Sequence, residues 1–308
     1  MIDKEVDPQG DIWSRWLLHD RHAGNQQLEQ KVRRGVARYI ERLLDGARLE
    51  AGMRLADIGT GEGAVAFRAI ERVGGSLRVL LTDISLPLLR HAEEESLRLG
   101  VRDQCTFLAC SADQLSGIDD ASVDVVTTRS VLAYIADKAA ALSAFHRVLV
   151  PGGRISIAEP ILQDEAHAAW AMRTLLEMRA RESMDPAMPL LHRWKAAQYP
   201  DTQEKIRETP ITNYNERDLV RLAQAAGFVD IHMELHIDVV ASQNTNWDVF
   251  LHSSPHPLAA PLSDILAEQF TPEERLQFER AVRPMVEDPK TLTTDRMAYL
   301  SAIKPGAT

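Results

Sequence analysis

Residues 53–64 read Met53-Arg54-Leu55-Ala56-Asp57-Ile58-Gly59-Thr60-Gly61-Glu62-Gly63-Ala64, and this stretch decides the fold. A short apolar run carries Asp57 near its end, three glycines follow at alternate positions, and a helical pattern opens at Ala64. Glycine lets the backbone turn tightly and approach a ligand, and the helix N-terminus behind it offers unpaired N–H groups. Asp83 closes the next apolar run, where an acid meets a ribose diol in a βαβ nucleotide site. Taken alone the unit admits two chemistries. Gly59-x-Gly61-x-x-Ala64 also fits the relaxed dinucleotide fingerprint, so a nicotinamide-dependent dehydrogenase is one reading of it.

Working outward, Met53–Ile58, Leu77–Thr82, Cys105–Ala109, Val123–Thr128 and Arg154–Ala158 are expected strands. Helical patterns from Ala64, over Leu86–Gly100 and over Lys138–Leu149 separate them. Strands alternating with helices build right-handed crossovers, hence an α/β, doubly wound and mainly parallel sheet. Before it, residues 1–50 form a helical N-terminal arm, with Trp13 and Trp16 at helical spacing and a helix over Gln26–Leu44 that Asp45-Gly46 ends. After the core, 51–160, comes an insertion, 161–214, with a helix over Ala166–Arg181 and a Met- and Pro-rich stretch beyond it. Residues 215–308 complete the sheet: a helix capped by Asn215 and Asp218, a strand over Val229–Val240, a helical insertion over Asn246–Val286, and a closing strand over Arg296–Ile303. Thr271-Pro272-Glu273-Glu274 is a capping box inside that insertion.

The stretches Val123-Asp124-Val125-Val126-Thr127-Thr128-Arg129-Ser130-Val131-Leu132 and Phe145-His146-Arg147-Val148-Leu149-Val150-Pro151-Gly152-Gly153-Arg154 settle the choice. With the acidic glycine loop before them, they resemble the class I S-adenosylmethionine-dependent methyltransferases. The resemblance implies a Rossmann-like methyltransferase fold with S-adenosyl-L-methionine across the carboxyl ends of the first four strands. It implies that Asp57, Gly59, Thr60 and Gly61 pass beside the methionine and ribose, that Asp83 holds the ribose hydroxyls, and that Ile84 flanks the adenine face. Ser111 and Ala112, with Asp113, would meet the adenine edge. Many relatives carry an acid where Ser111 stands. The arm, Trp13-x-x-Trp16-Leu17-Leu18-x-x-Arg21-His22-Ala23-Gly24-Asn25, is similar to a tryptophan and Arg-His-Gly-Gly pattern in a group of bacterial class I methyltransferases, as is Trp247-Asp248-Val249-Phe250-Leu251-His252-Ser253-Ser254-Pro255.

Methyl transfer from a cationic sulfur needs alignment, exclusion of water and, where the acceptor carries a proton, a base. Polar groups at carboxyl strand ends are the candidates. Glu159, Tyr134 and His22 are the expected catalytic groups, and Arg21 and Arg129 are expected to hold the cofactor carboxylate or an acidic substrate. His167 and His192 are further candidate bases, while His146 should face away from chemistry. The insertion 161–214 leaves the sheet where a lid would hang. Its Trp170, Met172, Met178, Met184, Met188, Trp194 and Tyr199 suggest an apolar acceptor. Oxygen or nitrogen acceptors are favoured over carbon. A non-methylating, pericyclase-like use of the same fold and cofactor is the alternative within the class.

Composition narrows the rest. The net charge is −10 and lies mostly in residues 218–308, so no segment advertises a phosphate-tracking surface and nucleic acid is an unpromising partner. No apolar run of about 18 residues suits a bilayer, and the N-terminus lacks a signal-peptide pattern, so a cytoplasmic, non-membrane enzyme is expected. Two cysteines, Cys105 and Cys110, build neither a disulfide framework nor a zinc site, and their spacing sends them to opposite faces of a strand. No metal-ligand spacing stands out. The apolar Trp13/Trp16 stripe needs cover, either from the chain's own core or from a homodimer.

Overall fold

A computed structural model describes residues 10–178, 185–242 and 246–306. Seven strands form one sheet: β1 (Arg54–Ile58), β2 (Arg78–Asp83), β3 (Cys105–Ala109), β4 (Val123–Arg129), β5 (Leu149–Pro160), β6 (Val229–Ala241) and β7 (Leu292–Ile303). Their order is β3-β2-β1-β4-β5-β7-β6. The first five are parallel, and β7 runs antiparallel between β5 and β6. The strand order reverses between β1 and β4, which opens a crevice at the carboxyl ends of those two strands.

Both faces of the sheet are covered, so the central strands read as nearly continuous apolar runs. On one face lie α2 (Gln26–Ala47), α3 (Ala64–Val73) and α4 (Leu86–Arg98), whose Leu43, Ile70 and Ala92 share a buried cluster with Leu55 and Leu81. On the other lie α5 (Lys138–Val148) and α9 (Glu216–Ala225), which bury Phe145 and Leu219 against Ile155 and Leu300. The expected caps form. The Asn215 side chain accepts from the Asp218 N–H while the Asp218 carboxylate accepts from the Asn215 N–H, and Thr271 and Glu274 do the same at α12 (Pro272–Glu287).

Three local expectations change. Helix α2 does not stop at Asp45-Gly46 but runs to Ala47 and ends with Arg48 in the left-handed region. Gly46 marks a close approach instead: a Cβ there would sit 2.7 Å from Ser156 Oγ, and that hydroxyl donates to Leu43 O at 2.6 Å, pinning α2 on β5. Strand β5 starts at Leu149 and takes in the Pro151-Gly152-Gly153 turn, because Gly152 and Gly153 exchange main-chain hydrogen bonds with Lys304. Among the described residues the arm opens with α1 (Ile12–Arg15) and continues as a π-helix, Trp16–Asp20.

The two helical insertions, separate in sequence, make one cap. The first carries α6 (Gln163–Met178), α7 (Met188–Gln198) and α8 (Gln203–Glu208). The second carries α10 (Trp247–His252), α11 (Leu262–Gln269) and α12. Leu190 and Trp194 of α7 pack in one cluster with Trp247, Ile265, Phe270 and Phe278 from the second insertion. His256 fastens the two: its Nε2 donates to Gln198 O at 3.1 Å and its Nδ1 accepts from Leu258 N–H at 3.2 Å. The expected end of the first helix at Arg181, and Met184, lie outside the described residues. No described helix is long and apolar enough to cross a membrane.

Candidate active site

The glycine loop leaves β1 and enters α3 with Gly59, Gly61 and Gly63 all at positive φ. A Cβ on Gly59 would lie 2.3 Å from Val131 Cγ2, and one on Gly61 would lie 3.0 Å from Leu17 of the arm. The loop is thus pressed against β4's exit on one side and roofed by the arm on the other. Thr60 N–H donates to Thr82 O, and Gly61 N–H donates to Asp83 Oδ2 at 2.9 Å. The second Asp83 oxygen accepts from Ser85 N–H at 2.9 Å. Burial raises the Asp83 carboxyl against these two donors.

Asp57 plays a different part from the one expected. It is fully buried and its two oxygens accept from Thr60 Oγ1 (2.7 Å) and Thr127 Oγ1 (2.8 Å). It braces the loop from below and does not line the cavity above. Burial pushes its carboxyl up to about 6 despite both hydroxyls.

A single cavity of about 1110 Å³ runs from the glycine loop to the cap. Gly59, Thr60, Gly61, Asp83, Ile84, Ser111, Ala112 and Arg129 all line it, as does Arg21, so most of the sequence-predicted binding residues come together. Ile84 is 56% exposed, an apolar side chain offered at the lip of the cavity. Ser111 Oγ donates to the Asp113 carboxylate, so an acid stands at this edge of the cavity.

Arg21, Arg129 and Tyr134 meet in the middle. Arg21 stacks over the Trp16 ring at 5.3 Å, while Trp13 meets Tyr134 edge-on at 5.1 Å between ring centres. Trp16 Nε1 donates to Ser254 O at 3.1 Å, so the tryptophan stripe is covered by the chain's own site and cap. Among the described residues the Arg129 Nε is buried without a hydrogen-bond partner, and burial, then the neighbouring Arg129 charge, pushes Arg21 down to about 10. Among the described residues neither guanidinium forms an ion pair. Two adjacent cations with an orphaned donor are a ready receptor for a carboxylate. Burial also raises the Tyr134 hydroxyl, which stays a neutral donor.

Two expected catalytic groups lie elsewhere. Glu159 is fully buried behind the wall, where Oε1 accepts from Val131 N–H and Leu132 N–H (2.9 and 3.0 Å) and Oε2 from Ala133 N–H (3.1 Å). Its carboxylate caps the 3-10 turn Leu132–Tyr134 and so positions Tyr134; it is not placed to take a proton from a ligand. Burial raises it to about 7 in spite of the three amides. His22 is buried but not in the cavity wall, and among the described residues its Nδ1 has no hydrogen-bond partner. His192 pairs with Asp201 at 3.2 Å, and His167 also lies off the cavity. His146 packs edge-on against Phe228, away from the site as expected.

The far end of the cavity was the least legible. Of the apolar residues expected to form a pocket wall, Met172 and Trp194 line it, whereas Trp170, Met178, Met188 and Tyr199 do not. Much of the remaining wall comes from Phe250, Val282 and Met285 of the second insertion, from Val32 and Tyr39 of α2, and from Thr293, Asp295 and Met297 of β7. An amphipathic helix facing the sheet gave no signal that part of its apolar face stops short of the core.

A family model described as a methyltransferase domain matches residues 49–216. The chain belongs to that family. It is 26% identical over 202 residues to a Ubiquinone/menaquinone biosynthesis C-methyltransferase of Brucella anthropi, covering 64% of this chain and 71% of that one. It is 32% identical over 206 residues to Nocamycin O-methyltransferase of Saccharothrix syringae, covering 67% and 68% respectively. Among solved structures it resembles the YcgJ protein of Bacillus subtilis (TM-score 0.56, 15% identity, 88% of this chain and 100% of that one). It also resembles a phosphoethanolamine N-methyltransferase of Haemonchus contortus in complex with S-adenosyl-L-methionine (TM-score 0.50, 16% identity, 96% and 56%). The seven-stranded sheet is the Rossmann-like methyltransferase fold.

Proposed function

We propose that this methyltransferase uses S-adenosyl-L-methionine and methylates a small acceptor with an apolar body, oxygen or nitrogen favoured as the atom methylated. The observation that carries the reading is the continuity of the cavity. A glycine-cradled, acid-tipped end passes through a two-arginine waist into an apolar chamber under the cap. Its volume exceeds the roughly 300–1,000 Å³ of a site for one drug-sized ligand, leaving room for two ligands end to end.

The residues present suit this cofactor. Asp83 has lone pairs free for a ribose diol, Ile84 offers an apolar face to a base, and Ser111 with Asp113 offers polar atoms to its edge. Arg129, with its orphaned Nε, and Arg21 suit the amino-acid carboxylate. The cofactor supplies an electrophilic methyl group on a cationic sulfur. The chain's own part is to align the acceptor, exclude water with the arm and cap, and hold polar acceptor atoms through Tyr134. Relatives that carry out C- and O-methylation share this core, so the acceptor atom is set by the chamber and not by the loop.

Calorimetric titration with S-adenosylhomocysteine and with NAD(H) tests the cofactor. The wild-type chain is expected to bind the first and not the second, and Gly61→Arg, which forces a side chain under Leu17, is expected to lose binding. NAD(H) binding without S-adenosylhomocysteine binding would overturn the reading. Incubation with methyl-labelled cofactor and a set of apolar phenols and amines tests transfer. Turnover of an acceptor with no S-adenosylhomocysteine released would make the reaction a non-methylating one.

A further inference from the structure

Strand β6 is the outer edge of the sheet, and among the described residues its main-chain hydrogen bonds run to β7 alone. An edge of thirteen residues is a liability that proteins usually blunt with lysine, proline or a covering segment. Val229–Ala241 contains neither lysine nor proline. Its one irregularity lies at the start, where Asp230 has positive φ and the register with β7 shifts. Odd-numbered positions from Val229 to Val239 are all apolar. Ile231 and Met233 pack on the core beside α9, but the strand outruns that cover, leaving Leu235, Ile237 and Val239 39%, 55% and 56% exposed. The opposite face reads His232, Glu234, His236, Asp238, with Glu234 bonded to Arg42 of α2 and to both histidines.

We propose that β6 pairs antiparallel with β6 of a second copy of this chain about a two-fold axis through Leu235, extending the sheet across both protomers. Over Ile231–Val239, beyond the irregularity at Asp230, the sequence is self-complementary in this register. Residues directly opposite in an antiparallel ladder share a face, so an axis between two residues would set apolar against charged positions. An axis at Glu234 sets that carboxylate against its own copy, and one at His236 sets Glu234 against Asp238. Axes at Met233 or Ile237 leave Val239 or Glu234 without its match. With the axis at Leu235, His232 faces the partner's Asp238 and Glu234 faces the partner's His236. On the other face Ile231 meets the partner's Val239, Met233 the partner's Ile237, and Leu235 its own copy. Such an isologous contact closes with two chains. It also stiffens β7, which lies inside β6 and supplies Thr293, Asp295 and Met297 to the cavity.

The test is sedimentation equilibrium of the full chain up to about 100 μM, since a dimer's population depends on concentration. The wild-type chain is expected to be dimeric. Leu235→Lys places two ammonium groups opposite each other on the axis and should weaken association about 100-fold with near-UV circular dichroism unchanged. Register is read by cysteine pairing under oxidation. Leu235→Cys should cross-link with itself, while Ile237→Cys should cross-link when mixed with Met233→Cys and not alone. A wild-type monomer throughout this range, a dimer that tolerates Leu235→Lys, or self-cross-linking at 237 in preference to 235 would each overturn the proposal.

Discussion

The two ends of the cavity are built in opposite ways. At the glycine-loop end, the floor is made by the exits of parallel strands, and strand pairing fixes its position: Ile58 beside Thr128, Asp57 beside Leu81 and Thr127. At the cap end, the wall is assembled from α2, α7, the second insertion and the protruding half of β7, which meet through side-chain packing and a few pins such as His256. The first end is rigid because a buried ladder is rigid; the second owes its shape to packing between segments far apart in the chain. Specificity for a common cofactor needs the first kind of wall, and choice among acceptors needs the second.

The largest expected effect on ligand binding breaks the rigid end selectively. Asp83→Ala should weaken S-adenosylhomocysteine about 10- to 100-fold and 5′-methylthioadenosine by a similar factor, since both keep the ribose. Arg129→Met should weaken S-adenosylhomocysteine by a comparable factor but leave 5′-methylthioadenosine, which has no carboxylate, nearly unchanged. Calorimetry on the four pairs checks this. Equal losses for both ligands in Arg129→Met would remove the arginine from the carboxylate role.

Next comes the brace between the ends. Glu159→Ala leaves three buried N–H groups without an acceptor and should cost about 3 kcal/mol or more in urea unfolding. The pH dependence has a defined sign. Because the folded carboxyl is raised to about 7, it stays protonated while the unfolded chain ionises near its ordinary value, so its contribution to stability is present in acid and lost as pH rises to about 7. The wild-type chain should therefore lose stability relative to Glu159→Gln between pH 4.5 and 7 and stay level above. A loss of turnover in Glu159→Gln with stability and Tyr134 environment intact would instead restore Glu159 as a base.

The smallest effect belongs to the cap. His256→Ala removes the Gln198 and Leu258 hydrogen bonds and should cost about 1–2 kcal/mol. Its sharper signature is faster amide exchange in α7 and α10 with S-adenosylhomocysteine affinity unchanged. If cofactor affinity fell as well, the two ends would be mechanically coupled and the contrast between them would be weaker than drawn.

Legibility follows the same division. Gly59, Gly61 and Asp83 could be placed at the cavity wall from the chain because a strand–turn–helix unit is local: residues within about thirty positions define it. Caps at Asn215 and Thr271 were readable for the same reason. Glu159 was misread because its position at a strand end is shared by bases and braces; only the three amide donors around it distinguish the two. Gly46 was misread because a helix stop and a close packing contact use the same residue for the same lack of a Cβ. His256 carried no local signal, since its partners are a carbonyl of one insertion and an amide of its own loop.

By itself the sequence determined the parallel sheet, the glycine cradle and the acid opposite it, since periodicity and turn chemistry act over short separations. Tertiary structure alone decided that two insertions form one cap, that the arm roofs the loop, and that Arg21 and Arg129 become neighbours in one cavity. Those outcomes depend on which apolar surfaces meet across hundreds of residues, and burial, not local pattern, selects them.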